Sequence, residues 1–418
     1  MLRQALRISS SGKDLNGALR AFSSVRSTTS NDVFIVSAAR TPVGAFRGSL
    51  ASIPATRLGA IAIEEALRRA GIEKSAVDEV YLGNVCQAAE GQAPSTQAAI
   101  LAGLPATTPC TTINKVCASG MKSIMLAAQN IATGQASIMV AGGMESMSNV
   151  PFYVLRQEIP YGGGQIVDGI VFDGLTDSFN KIHMGVCAEK TAKKMGITRE
   201  DQDNYATQAY KRSQAAAKSG SFKKEIVPVK VQQRGKGEIV VDLDEEVAKV
   251  NFDKLLTLKP AFQKEAGTVT AGNASKLNDG AAATVLMSAD AVKKHGLQPL
   301  ARIVSFSDAA RDPVEFTIAP ADAVPIALKR AGLTKNDIKL WEINEAFSVV
   351  ALANQKLLDL DPDFLNINGG GVSLGHPIGM SGARITNTLL YNLKAGEYGC
   401  ASICNGGGGA SCIIIQKL

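Results

Sequence analysis

The chain predicts an α/β protein of more than one domain, and three observations carry that reading. Short aliphatic runs read as buried strands, beginning with Val33-Phe34-Ile35-Val36 and Val80-Tyr81-Leu82-Gly83. Stretches with helical apolar spacing alternate with them, at residues 57–70 and 118–132. With 418 residues the chain is too long for one ordinary core.

The first strand follows residues 1–31, which hold Arg3, Arg7, Lys13, Arg20 and Arg26 against the single acid Asp14. This segment is Ser-rich, with Leu2, Leu6, Leu15, Leu19 and Phe22 interspersed. Arg- and Ser-rich, acid-poor amphipathic composition predicts a mitochondrial transit peptide and a matrix location. Much of the net charge of +6 sits here, so the remaining body is not that of a nucleic-acid binder. No run of 18 apolar residues occurs, which argues against a membrane-spanning helix. The 7 Cys lack paired short spacing and the chain has 3 His, so neither a disulfide framework nor a zinc site is expected.

From Asp32 the pattern runs strand, turn (Thr41-Pro42-Val43-Gly44), helix, strand, and then helix 118–132 into the glycine-ended strand Ile138–Gly143. Between about 150 and 275 the character changes. Glycine loops, a charged helical stretch at 199–218 and polar residues 231–248 with Asp242, Asp244, Glu245 and Glu246 predict an exposed inserted subdomain. The α/β pattern resumes from Ala281. A strand with Ser and Ala opens each half, at 33–39 and 302–310, and a helix runs into a glycine-ended strand in each, 118–143 and 379–409. This suggests an internal duplication.

Four stretches carry chemistry. Cys117, in Asn114-Lys115-Val116-Cys117-Ala118-Ser119-Gly120, stands just ahead of a helix. A thiol there meets the positive end of the helix dipole and free N–H groups, which favour the nucleophilic thiolate. The alternative is a small buried hydrophobe. His376 lies in Gly369-Gly370-Gly371-Val372-Ser373-Leu374-Gly375-His376-Pro377-Ile378-Gly379, tightly turned backbone suited to a positioned base. Cys404 precedes four glycines, whose N–H groups could meet an oxyanion, although a hairpin needing positive φ also explains them. Asn344, in Trp341-Glu342-Ile343-Asn344-Glu345-Ala346-Phe347, reads as a helix N-cap or as an amide holding a carbonyl or water.

Together these stretches resemble the thiolase family over residues 32–418; N-E-A-F, G-G-x-x-x-G-H-P-x-G and C-N-G-G-G-G are specific in combination. The resemblance implies two similar α/β halves in a five-layer αβαβα arrangement, residues 32–147 with 278–298 and residues 299–418, with a CoA-binding loop subdomain inserted at 148–277. It implies reversible Claisen condensation of two acetyl-CoA to acetoacetyl-CoA and CoA. Cys117 would carry the acetyl group and His376 would take its proton. Cys404 would handle the α-proton, Asn344 would hold an oxyanion water, and the N–H groups of Cys117 and Gly406 would form a second oxyanion hole. Leu175, His183, Lys249, Lys254 and Ser275 would contact CoA, and Met184 and Phe316 would wall the acyl pocket. An activating K⁺ would bind Tyr210 and the carbonyls of Ala271, Gly272, Ala274 and Val372. CoA is then substrate and product, no redox cofactor takes part, and the assembly is a homotetramer binding neither nucleic acid nor membrane. A long-chain 3-ketoacyl-CoA thiolase is the nearest alternative; an inactive CoA- or RNA-binding scaffold is the alternative of another class.

Overall fold

The computed structural model describes residues 32–418 apart from 157, 158, 234 and 236. The expected transit peptide lies outside the described residues.

One sheet runs through the molecule, and its halves repeat each other. The first half is ordered Cys110–Ile113, Glu79–Gly83, Ile138–Ser146, Asn278–Ser288, Val33–Arg40. The second runs back as Ala301–Ala310, Gly409–Lys417, Tyr398–Asn405, Ile338–Ile343. Corresponding neighbours have the same sense: Glu79–Gly83 pairs parallel with Ile138–Ser146, and Ile338–Ile343 pairs parallel with Tyr398–Asn405. The halves meet through three antiparallel pairs, from Val33 with Ile303 to Ile35 with Ala301.

The duplication suggested by sequence extends to a shared irregularity. The register slips between Ile35 and Ser37 in one half and between Ile303 and Ser305 in the other. In both, the serine hydroxyl donates to an alanine carbonyl of the covering helix: Ser37 to Ala66 at 2.6 Å, Ser305 to Ala327 at 2.7 Å. A bulge re-aims one side chain; here it frees a hydroxyl to fasten helix to sheet.

The core is layered. Helix Ala55–Ala70 covers the outer face of the first half with Leu58, Ile63 and Leu67 buried. Helix Pro320–Ala331 covers the outer face of the second. Helices Ser119–Ala132 and Ser381–Asn392 lie in the middle, sharing one apolar cluster with both halves of the sheet. Their approach depends on small residues: a Cβ on Gly382 would fall 2.5 Å from the Met121 backbone nitrogen.

Residues 147–277 leave and return at one point, because Ser146 stands opposite Asp279. They contain helices Met184–Met195 and Arg199–Ser219 and the hairpin Val229–Gln233 with Gly237–Val241. Asp244, expected on an exposed face, is instead buried and accepts two hydrogen bonds from the buried Arg40 guanidinium, at 2.7 and 2.9 Å. Glu225 accepts a third at 3.0 Å. Stranding that cation by removing one partner would cost about 3–5 kcal/mol, so this pairing anchors the segment to the first strand.

Candidate active site

Cys117 sits on a strained turn. Val116 has φ of 47°, a conformation that costs a β-branched residue about 1–3 kcal/mol. Local bonds hold it: Val116 N–H donates to Asn114 Oδ1 at 3.0 Å, and the Ser119 hydroxyl donates to the Val116 carbonyl at 2.6 Å. Lys115 ties the turn to the second half-sheet, pairing with Asp308 and donating to Ser411 Oγ at 2.8 Å. Helix Ser119–Ala132 begins just beyond.

The thiol was expected to favour thiolate. Instead, burial pushes Cys117 up to about 12, against the lowering effect of the Gly406 and Cys117 N–H groups. At 3% exposure, removal of water outweighs the helix end. Cys404 is fully buried, and its thiol is also pushed up, by burial and by Cys117 nearby. It ends strand Tyr398–Asn405, whose hairpin with Gly409–Lys417 turns through Gly406, Gly407 and Gly408. Gly407 and Gly408 have φ of 84° and 87°, so the turn does need glycine. The turn also delivers the Gly406 N–H to the Cys117 sulfur.

His376 is buried, and burial with Arg384 nearby lowers its pKa to about 3. The resting ring is therefore neutral. Its Nδ1 meets Ser381, whose hydroxyl lies 2.8 Å from the Pro377 carbonyl and 2.6 Å from His376 Nδ1. The Pro377 carbonyl also accepts from the Met380 and Ser381 N–H groups at 3.0 Å, so the hydroxyl alone does not set the tautomer; Asn344 Nδ2, which can only donate, faces Nε2 and favours the ring proton on Nδ1. Nε2 is left with a free lone pair, 3.4 Å from Asn344 Nδ2. The His376 N–H donates to Asn278 Oδ1 at 2.9 Å. Gly379 N–H donates to Glu145 Oε2 at 2.8 Å, and that carboxylate also accepts from Val85 and Cys86.

Asn344 is not an N-cap. The next helix starts at Ser348, and Phe347 caps it without a side-chain bond. The Asn344 N–H donates to the Ser402 carbonyl at 3.0 Å, which places the residue beside the strand end that carries Cys404. Its Oδ1 is buried without a protein partner.

Met184, Phe316, Val116 and Gly406 line one cavity of about 160 Å³. His183 caps helix Met184–Met195, its Nδ1 accepting from Gly185 N–H at 3.0 Å, and stacks on Phe262 at 4.6 Å. The Leu175 carbonyl accepts from Met184 N–H at 2.9 Å. Ser275 N–H donates to the Ala346 carbonyl at 3.1 Å. Lys249 and Lys254 line a second cleft of about 190 Å³ with Tyr210, Ala271 and Gly272, and Lys249 pairs with Glu245 at 2.7 Å. Of the expected CoA contacts, Lys249 and Lys254 line this second cleft, whereas Leu175, His183 and Ser275 line neither cleft. The expected K⁺ position is occupied in part: Lys276 Nζ donates to the carbonyls of Ala274 at 3.0 Å and Val372 at 3.2 Å.

Sequence reasoning missed Ser381, Asn278, Glu145 and Lys276. Ser381 had a signal, five residues after His376 at a helix start; the others act across the fold and had none.

Two family models match the chain, "Thiolase, N-terminal domain" over residues 33–290 and "Thiolase, C-terminal domain" over residues 297–417. The bovine protein named "Acetyl-CoA acetyltransferase, mitochondrial" is 62% identical over 394 residues, covering 94% of this chain and 93% of its own. The human protein of that name is 60% identical over 394 residues, 94% of this chain and 92% of its own. The crystal structure of Acat5 thiolase from Ascaris suum in complex with coenzyme A aligns with a TM-score of 0.90 at 49% identity, covering 93% of this chain and 100% of that one.

Proposed function

The chain belongs to the thiolase family, and from that premise we propose that it is an acetyl-CoA C-acetyltransferase of the mitochondrial matrix. The observation that carries this is the joining of a buried Cys117 thiol beneath the Gly406 N–H, a second thiol at Cys404, and a neutral His376 with Nε2 unprotonated. Four relatives of the same mitochondrial name, at 60–62% identity, support the assignment. The small cavity supports a short acyl group, against roughly 300–1,000 Å³ for an ordinary ligand pocket.

In condensation, His376 Nε2 takes the Cys117 proton, and the thiolate attacks the thioester carbon of acetyl-CoA. The oxyanion collapses, and CoA leaves with the proton from His376. Acetyl-Cys117 remains. Cys404 passes its proton to His376 Nε2 and, as thiolate, then takes an α-proton from a second acetyl-CoA. The enolate oxygen meets His376 and a water held by Asn344, whose free Oδ1 can anchor it. The enolate carbon attacks acetyl-Cys117, and the Cys117 and Gly406 N–H groups stabilise that oxyanion. Its collapse releases acetoacetyl-CoA and the Cys117 thiolate, which regains a proton from His376, while Cys404 keeps the α-proton. Keeping all three groups neutral at rest avoids buried unpaired charge until substrate shares it.

Leu175, His183, Lys249, Lys254 and Ser275 would hold CoA on the inserted segment 148–277, and Met184 and Phe316 would bound the acyl group. A homotetramer is the proposed assembly. The residues around the expected K⁺ do not fit it as they stand, because Lys276 takes two of its carbonyl ligands.

The test is thiolysis of acetoacetyl-CoA and a long-chain 3-ketoacyl-CoA with free CoA, beside Cys117→Ala. Cleavage of the short substrate, reduced by about 10⁴-fold or more in Cys117→Ala, is expected. Preference for the long chain would overturn the substrate assignment, and full activity in the variant would overturn the mechanism.

A further inference from the structure

Two backbone carbonyls from segments far apart in sequence, Ala274 and Val372, converge on one point. Converging carbonyl oxygens repel unless a cation or a donor sits between them. Here the Lys276 ammonium donates to both, at 3.0 and 3.2 Å. The same nitrogen lies over the face of Tyr210, 5.3 Å from the ring centroid, a distance at which a cation is attracted to the ring. Burial disfavours the charge, and the carboxylates of Glu246 and Glu345 oppose that by favouring it. Glu345 is fixed in turn, accepting from Val372 N–H at 3.0 Å, Tyr205 at 2.8 Å and Asn366 at 3.0 Å.

We propose that the Lys276 ammonium is a built-in replacement for a monovalent cation, so that this enzyme holds its substrate loop in place without K⁺. The inference rests on the functional reading above for its kinetic arm only. Lys276 acts through backbone and is a positioning residue. On one side it grips the loop containing Ser275, the residue next to it. On the other it grips Val372, four residues before His376. A tethered cation needs no association from solution and so avoids the entropy of capturing an ion. It also cannot leave when salt falls.

The experiment uses the full chain in chlorides of K⁺, Na⁺ or tetramethylammonium at equal ionic strength, read by thermal melting and by KM and kcat for acetoacetyl-CoA thiolysis. Wild type is expected to give the same melting temperature and KM in all three salts. Lys276→Ala opens the site; in tetramethylammonium it should melt about 3 °C lower and show KM raised by about tenfold, the worth of one hydrogen-bonded charge. K⁺ should restore both. Lys276→Met fills the space without charge, so it should show the same losses with no rescue by K⁺. Two results overturn the proposal: wild type that gains stability or affinity from K⁺ over tetramethylammonium, or Lys276→Ala indistinguishable from wild type in every salt. The wild-type comparison decides the matter even if a variant does not fold. If no thiolysis occurs at all, the functional reading fails while melting still reports on Lys276.

Discussion

Helix Ser119–Ala132 in the first half and helix Ser381–Asn392 in the second occupy equivalent places, each leading into a central strand of its half-sheet. What precedes them differs. Ahead of the first is the strained Val116 turn that presents a thiol. Ahead of the second is a glycine-rich bend that buries an imidazole on Ser381. The ends of the two strands differ likewise. Glu145, near the end of the first, is spent on three backbone N–H groups that shape the site. Cys404, near the end of the second, is a reactive type of side chain kept free. The repeated frame is maintained by the same kind of contact in both halves, while the chemistry is placed in loops that need not match. Scaffold and site therefore diverge separately, as expected when rigid elements position variable loops.

The sharpest way to break that comparison is to remove the chemistry that the second half supplies. Cys404→Ala should lower condensation by about 10²–10⁴-fold, the usual worth of a positioned acid–base group. Transfer of acetyl from acetyl-CoA to Cys117 should persist. Deuterium exchange of acetyl-CoA α-protons and trapping of labelled acetyl-enzyme separate the two steps, and equal loss in both would contradict separate roles.

A smaller effect is expected from Ser381→Ala, which removes the hydrogen bond that holds the His376 ring at Nδ1. A fall of about tenfold in kcat with little change in KM is expected, since one hydrogen bond to the ring is lost. The wild-type pH profile provides a companion measurement. His376 is depressed to about 3, so it stays neutral as pH falls and protonates only near that value. Thiolysis should show no loss with an ordinary imidazole pKa near 6.5 between pH 8 and 5.5. A fall centred there would contradict the buried neutral ring.

The smallest effect tests the frame itself. Ser37→Ala and Ser305→Ala each remove one bulge hydroxyl, and each should cost about 1 kcal/mol in denaturant unfolding. The double variant should be additive within about 0.5 kcal/mol. Unequal costs would show that the two bulges do not bear equivalent loads.

Much of this was legible beforehand. Val33–Val36, Val80–Gly83 and Ile138–Gly143 lie within observed strands, and helix 118–132 begins one residue later than read. Short-range periodicity suffices where one face of an element is buried. The role of Asp244 was not legible, because its partner Arg40 lies 204 residues away. Nor was that of Lys276: its neighbours in sequence are a small-residue loop, and only the fold brings the Val372 carbonyl to it.

By itself the sequence determined the alternation of elements and which residue types stand on which turns, because those depend on neighbours along the chain; the internal repeat it only suggested. The tertiary structure decided their states. Whether Cys117 is thiol or thiolate, which nitrogen of His376 is free, and what fills the space between Ala274 and Val372 depend on how completely distant segments exclude water and where they leave their polar groups. Local sequence cannot encode a desolvation cost that other segments impose.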